Sequence, residues 1–170
     1  CPVIIAKQDE EAWQSIQEKA RLTHSKTHCF NHDWHIEITQ NGFKFIGFNK
    51  ELSLPTPSLI GTHQIYNAST AIAALLSQTT FKITDQTIKT ALTKTTWPAR
   101  LQKINAQCDI YLDGSHNVQG AHVIKEFLRM KKDHKKYVIF AMLQNKDCEG
   151  FLQTIHAEID HLIITKIPNE

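Results

Sequence analysis

The stretch Ile110-Tyr111-Leu112-Asp113-Gly114-Ser115-His116-Asn117 passes from a short apolar strand into a polar loop. A helical pattern follows to about Met130, then an apolar strand at 137–142, a helix with Asp147 as its cap, and a last strand at 162–164. Regular alternation of strands and helices is typical of a parallel sheet with right-handed crossovers. We therefore predict an α/β fold in which the strands at 110–112, 137–142 and 162–164 are neighbours.

The sequence before this region predicts a different arrangement. A short apolar run at 3–6 indicates a buried strand, and Asp9 can cap the helix that follows it. Asn41-Gly42 lies between alternating apolar residues, which predicts a β-hairpin within residues 28–50. Two more helices are predicted, one from about residue 62 to 77 and one that begins after a Thr84 cap.

Trp97-Pro98 ends the last of these helices, because the residue before a proline avoids the α region. We place a domain boundary there, which divides the chain into residues 1–96 and 97–170. The first residue is Cys1 rather than methionine, and both ends of the chain lie next to predicted strands. We therefore expect the sequence to be part of a longer protein.

Composition and charge exclude several classes of function. The 170 residues carry a net charge of +2, and the basic residues form no single stripe, so we expect no nucleic-acid partner. No apolar run is long enough to span a membrane. The four cysteines form no C-x-x-C pair and no metal-binding spacing with histidine, which predicts free thiols, no metal site and a cytoplasmic location.

The loop 113–117 is the first candidate for a binding or catalytic site. It offers a carboxylate, an imidazole and an amide where a strand ends and a helix begins, and ligands of parallel sheets bind at this edge. A helix N-terminus also favours anions. The alternative is that Asp113 and Asn117 only cap the helix, as these residue types commonly do.

Arg100 is a second candidate, because an arginine fixed at a domain boundary can hold a phosphate with two hydrogen bonds. Its alternative is an ordinary surface salt bridge.

Gly61-Thr62-His63-Gln64 opens a helix, with Asn67 one turn further on, and this helix start can face a phosphate or a base. Local sequence favours the simpler interpretation, in which Thr62 is the N-cap. Lys146-Asp147 also follows a strand end, and there the start of a helix is the favoured interpretation. No G-x-x-x-x-G-K-[ST] phosphate loop occurs in the sequence.

Four stretches, in this order along the chain, resemble the bifunctional dihydrofolate synthase/folylpolyglutamate synthase of the Mur ligase superfamily. The stretch 61–68 is similar to the family's G-x-H-Q-x-x-N-A, and 97–101 to its W-P-G-R-L with Ala99 for glycine. The stretch 113–117 is similar to D-G-A-H-N with Ser115 for alanine, and 143–147 to the family's L-x-x-K-D. Each match is weak alone, but four matches in this order, spread over residues 61–147, are a strong signal.

The resemblance implies a fold and a reaction. Residues 1–96 would be the distal part of a P-loop-type central ATPase domain, and residues 97–170 the first part of a Rossmann-like parallel-sheet C-terminal domain, both incomplete. The implied enzyme uses ATP to phosphorylate a folate or dihydropteroate carboxylate, and L-glutamate then attacks the acyl phosphate. The implied cofactors are ATP and Mg²⁺, with the metal ligands outside this chain, and we expect a monomer.

The resemblance also implies roles for four residues. Asn67 would contact the adenine side of ATP, Arg100 and Asp113 would hold ATP from across the cleft, and His116 would lie near the glutamate or the acyl phosphate. If the position of Ala99 needs a positive φ, alanine is strained there. The alternatives are another Mur-type amide ligase, or a catalytically inactive fragment of the folate enzyme.

Overall fold

Two units make up the chain in the computed structural model, which describes residues 1–105 and 107–167. The first is Cys1–Thr96 and the second is Trp97–Glu170.

A parallel strand pair opens the first unit. Strand β1 (Val3–Ile5) pairs with β2 (Thr27–Cys29), and helix α1 (Glu10–Leu22) connects them. Asp9 caps α1 by accepting the backbone N–H of Ala12 at 2.9 Å. The predicted strand and its capped helix are confirmed.

An antiparallel three-stranded sheet follows, formed by β3 (Trp34–Thr39), β4 (Gly42–Gly47) and β5 (Lys50–Pro55). The predicted hairpin is confirmed as β3–β4, with Thr39 opposite Gly42. Gly42 is required there, because a Cβ would overlap the carbonyl group of Leu54 on β5. Strand β5 was not predicted.

Helices α2 (Thr62–Ser77) and α3 (Asp85–Lys94) complete the first unit, with the predicted Thr84 cap on α3 accepting from the Thr87 N–H at 3.1 Å. Apolar residues from the sheet and from both helices form one core, in which the large rings of the sheet are almost fully buried. Its buried members are Trp34, Phe43, Phe45, Leu52, Leu54, Ile65, Ile72, Ala73, Ile88 and Leu92.

The second unit begins with two consecutive strands and then alternates helices and strands as predicted. Its elements are β6 (Gln102–Asn105), β7 (Ile110–Leu112), α4 (Val118–Met130), β8 (Tyr137–Phe140), α5 (Cys148–Ile155), a 3₁₀ turn (His156–Glu158) and β9 (His161–Ile164). Strands β8 and β9 are parallel, in a register that sets Ile139 opposite Ile163. The core beneath them contains Ala121, Phe140, Phe151 and Ile155.

One predicted neighbour in this sheet is wrong. We expected β7 beside β8, but in the described part of the chain β7 pairs antiparallel with β6. Strand β6 has no strong sequence signal, because Gln102 and Lys103 are polar and Ile104 is its only large apolar residue. The mixed α/β class and the parallel pairing of the last two strands are as expected.

Two general expectations also have a structural counterpart. All four cysteines are free thiols, and Cys29 alone among them is buried. Within residues 1–105 and 107–167, no helix combines the length and apolar character needed to cross a membrane.

Candidate functional site

The loop after β7 is held in place by the carboxylate of Asp113. One oxygen accepts the backbone N–H of Leu101 at 2.8 Å, and the other accepts the N–H of Ser115 at 2.8 Å. Asp113 therefore does not cap α4. Asn117 does so, since its Oδ1 accepts the Gly120 N–H at 2.8 Å. The capping alternative holds for Asn117 and fails for Asp113.

The turn around Arg100 has an unusual backbone. Ala99 (φ 54°) and Leu101 (φ 47°) both occupy the left-handed region, which residues with a Cβ rarely adopt. Two hydrogen bonds fix this turn: the Gly114 N–H donates to the Ala99 carbonyl at 2.9 Å, and the Ala99 N–H donates to Gln102 Oε1 at 3.1 Å. Leu101 is also buried. The positive φ at Ala99 meets the condition under which alanine is strained.

Arg100 lies between these two residues and is exposed. Among the described residues, no carboxylate forms an ion pair with its guanidinium. The salt-bridge alternative is thus not realised within this part of the chain, and the guanidinium is available to an anionic ligand.

His116 is exposed at the end of the same loop, and its Nδ1 lies 3.1 Å from the Gly114 carbonyl oxygen. A carbonyl oxygen can only accept, so Nδ1 carries the proton in this contact. In the neutral ring Nε2 is then the acceptor nitrogen, and it can take a proton from a ligand.

Two helix N-termini meet beside this loop. Asp147 caps α5 by accepting the Gly150 N–H at 2.8 Å, which confirms the helix start predicted at Lys146-Asp147. A Cβ on Gly150 would lie 3.0 Å from Val118 Cγ2, so the first turns of α4 and α5 are in contact. Both helices follow the carboxyl ends of strands, and their N-termini favour negative charge.

Asn67 lies in the first unit, exposed on the second turn of α2. Gly61 is the N-cap of this helix and provides no side-chain cap, so the predicted Thr62 cap is wrong: Thr62 is the first helical residue. Asn67 Nδ2 donates to Gln64 Oε1 at 3.2 Å. The sequence motif at 61–68 includes Gln64 but predicts no role for it.

A charged cluster that the sequence did not reveal lies at the amino end of β7. Lys103 Nζ is 2.6 Å from Asp109 Oδ1, and Lys131 Nζ is 3.4 Å from its other oxygen. The hydrogen bond from Lys103 lowers the pKa of the Asp109 carboxyl, and the same bond raises the pKa of Lys103. This cluster lies at the opposite end of the strand from Asp113, so we interpret it as structural.

The described residues do not gather a metal site: no group of three or more His, Cys, Asp or Glu side chains is arranged to bind a metal ion among them.

Comparison with known proteins identifies the relatives of this chain. Residues 98–169 match the family model described as the dihydrofolate synthetase C-terminal domain. The dihydrofolate synthase/folylpolyglutamate synthase of Bacillus subtilis (strain 168) is 28% identical over 172 residues, which is 95% of this chain and 40% of that protein. The chain thus spans about two fifths of the length of this curated relative.

Two solved structures share the fold. One is the Mycobacterium tuberculosis folylpolyglutamate synthase complexed with ADP, with a TM-score of 0.81 and 20% identity over 96% of this chain and 38% of that one. The other is a bifunctional folylpolyglutamate synthase/dihydrofolate synthase with Mn, AMPPNP and L-glutamate bound. Its TM-score is 0.73 at 23% identity, over 88% of this chain and 35% of that chain. The second unit is thus similar to the dihydrofolate synthetase C-terminal domain, the whole chain is similar to part of a dihydrofolate synthase/folylpolyglutamate synthase, and the two solved structures share its fold.

Proposed function

We propose that this chain supplies part of an ATP-dependent ligase that adds L-glutamate to dihydropteroate or folate. In the proposed reaction the γ-phosphoryl group of ATP passes to a carboxylate oxygen of the pterin substrate, which leaves ADP and an acyl phosphate. The amine of L-glutamate then attacks the acyl carbon. Inorganic phosphate leaves, the nitrogen loses a proton, and an amide remains.

The observation that carries this proposal is the setting of Arg100. Its guanidinium is exposed and has no carboxylate partner among the described residues, while the backbone on both sides is fixed by Asp113 and Gly114. A cation held in this way suits a phosphoryl group, because phosphoryl transfer depends mainly on positioning and on charge neutralisation. We assign Arg100 to a phosphate of ATP.

The other site residues take roles that their contacts support. Both oxygens of Asp113 accept backbone N–H groups, so we assign it chiefly to positioning Arg100, with its remaining lone pairs open to a ribose hydroxyl. His116 exposes Nε2, which can accept the proton that the attacking amine loses. Asn67 would contact the base of ATP.

Magnesium has no assigned place on this chain. In the implied reaction Mg²⁺ would supply charge neutralisation at the phosphates, but the described residues gather no set of ligands that fits it. We expect its protein ligands elsewhere.

The 170 residues alone should not catalyse the reaction, because their sequence contains no phosphate-binding loop of the G-x-x-x-x-G-K-[ST] type. We expect a purified chain of this length to show neither glutamate ligation nor ATP hydrolysis above background. Turnover by this chain that Asp113→Ala abolishes would contradict that expectation.

The proposal is tested with the native-length gene product, labelled L-glutamate and ATP. We expect the labelled glutamate to become attached to dihydropteroate or folate, with release of ADP and phosphate. We also expect the enzyme to be cytoplasmic and monomeric. Ligation of an amino acid to a muramyl substrate instead would favour another Mur-type ligase. The absence of any ligation by a folded protein would favour an inactive fragment.

A further inference from the structure

The parallel strand pair β8–β9 has one covered face and one exposed face. Val138 and Phe140 of β8 pack into the core that α4 and α5 form. Successive residues of a strand point to opposite faces, so Tyr137 and Ile139 lie on the other face. There the two side chains are 62% and 74% exposed. The helices of the second unit therefore cover only one side of this strand pair among the described residues.

Strand β9 continues the exposed face. The register sets His161 beside Tyr137 and Ile163 beside Ile139, and the rings of Tyr137 and His161 stack with their centroids 4.6 Å apart. Neither strand contains Lys, Arg, Asp or Glu, the residues that usually make up a solvent-exposed face. These four side chains form one largely apolar surface, which we call the β8–β9 face.

A face of this kind is unusual for parallel strands. Parallel sheets occur almost only with both faces covered, and their strands are then apolar on both sides. Strand β9 has this pattern, because Leu162 and Ile164, which point to the α5 side, are apolar as well. The pattern predicts that a further layer covers the β8–β9 face.

The direction of the chain indicates where that layer comes from. Right-handed crossovers keep the connecting helices on one face of a sheet while strands are added in one direction, and a helix on the other face belongs to a connection that runs back. Helices α4 and α5, which lead to β8 and β9, share one core on the covered face. Strands β6 and β7 are joined by residues 106–109, too few for a helix. A connection after β9 is therefore the best source of the covering helix.

We propose that the β8–β9 face is the docking surface for an amphipathic helix from the sequence that follows residue 170 in the native-length protein. The 170 residues span about 40% of the length of the Bacillus subtilis relative, so a protein of that length has room for this helix. Apolar residues spaced three and four apart would form the stripe that packs on Ile139 and Ile163. This inference concerns the fold of the second unit and does not depend on the proposed reaction.

The test is photo-crosslinking within the purified native-length gene product. Tyr137 is replaced by p-benzoylphenylalanine, which keeps an aromatic ring at the position, and Ile163 is replaced in a second variant. Gln153, an exposed residue on α5, is replaced in a third variant as the control. Each variant is irradiated as an equal mixture of unlabelled and ¹⁵N-labelled protein, and the joined peptides are identified by mass spectrometry.

We expect positions 137 and 163 to crosslink to one common segment after residue 170, within the same molecule. The control at position 153 should not crosslink to that segment. Crosslinks between unlabelled and labelled peptides would show that a second copy covers the face, and would overturn the inference. Crosslinks to sequence before residue 97, or none from a folded protein, would overturn it equally.

A charge on the β8–β9 face provides an independent measurement. We expect Ile139→Lys to lower the melting temperature of the native-length protein by about 5 °C or more, because the docked helix would bury the charge. Gln153→Lys places the same charge on the exposed side of α5 and should change the melting temperature little. An unchanged melting temperature in Ile139→Lys would show that the face stays in water and would overturn the inference. The crosslinking result stands by itself if Ile139→Lys does not fold.

Discussion

The carboxylate of Asp113 accepts the backbone N–H of Leu101 at 2.8 Å, across twelve positions of sequence. With its other oxygen it accepts from Ser115, so one side chain joins the turn that carries Arg100 to the loop that carries His116. Asp113 therefore has a structural role at the end of its strand although it caps no helix. The placement of Arg100 thus depends on Asp113.

Replacement of Asp113 should therefore affect both stability and nucleotide use. Asp113→Ala leaves two backbone N–H groups without their acceptor, and we expect a loss of about 1–3 kcal/mol in the free energy of unfolding. In the native-length protein the KM for ATP should rise as well. When Asp113→Ala is already present, Arg100→Ala should raise the KM for ATP by a smaller factor than it does in the natural protein. Chemical denaturation and ATP kinetics check this.

Asp113→Asn is the matched control, because its amide keeps one oxygen acceptor. This variant should lose less stability than Asp113→Ala, and its KM for ATP should rise less. Unchanged stability and unchanged KM in Asp113→Ala would show that the two backbone contacts are dispensable.

A substitution at Ala99 should increase the stability of the protein. A φ of 54° costs an alanine about 1–2 kcal/mol of stability. Glycine avoids this cost, but the greater freedom of its unfolded chain offsets about 0.5–1 kcal/mol of the gain. We expect Ala99→Gly to stabilise the protein by about 0.5–1 kcal/mol, measured as a rise in the denaturation midpoint. Ala91→Gly, at an exposed position within α3, should instead destabilise by about 1 kcal/mol. Equal destabilisation by both changes would contradict the strain at Ala99.

Local signals predicted much of the fold. Asp9, Thr84 and Asp147 each precede a helical pattern, and each caps its helix as expected, because capping involves only residues three positions apart. The second turn of the antiparallel sheet escaped prediction. Phe48 and Asn49 both take positive φ there, and a phenylalanine within an alternating apolar pattern indicates a strand rather than a turn.

The position of the candidate site was proposed from the sequence, but the contacts within it could not be predicted. The polar loop 113–117 was proposed because ligands bind at the carboxyl ends of parallel strands, but the structure pairs β7 antiparallel with β6. The partner of Asp113 is a backbone N–H on a distant turn, and no side-chain pattern encodes such a contact. The strand β6, whose position creates that contact, has too few apolar residues to be recognised.

The cluster around Asp109 should contribute to stability in a pH-dependent way. Its hydrogen bond with Lys103 holds the carboxyl pKa below its usual value. The contribution is therefore present above the unfolded pKa of about 3.9 and is lost as the pH falls through the lower folded pKa.

We expect Asp109→Asn to lower the melting temperature at neutral pH and to make less difference in acid, where the natural carboxylate is protonated. The residue is exposed, so the effect should be small and should shrink with added salt. Melting curves from neutral pH to about pH 2 check this. A difference between the two proteins that stays constant over this range would contradict the assignment.

Arg100 provides the most direct test of the account, through melting temperature and ATP kinetics measured side by side on Arg100→Ala in the native-length protein. Arg100→Lys, which keeps the charge, and Arg129→Ala, which removes a surface arginine paired with Glu158, are the controls. We predict a raised KM for ATP or a lowered kcat with little change in melting temperature, and partial recovery with lysine. Unchanged kinetics with a lowered melting temperature would show that Arg100 is structural and would contradict the proposed nucleotide site.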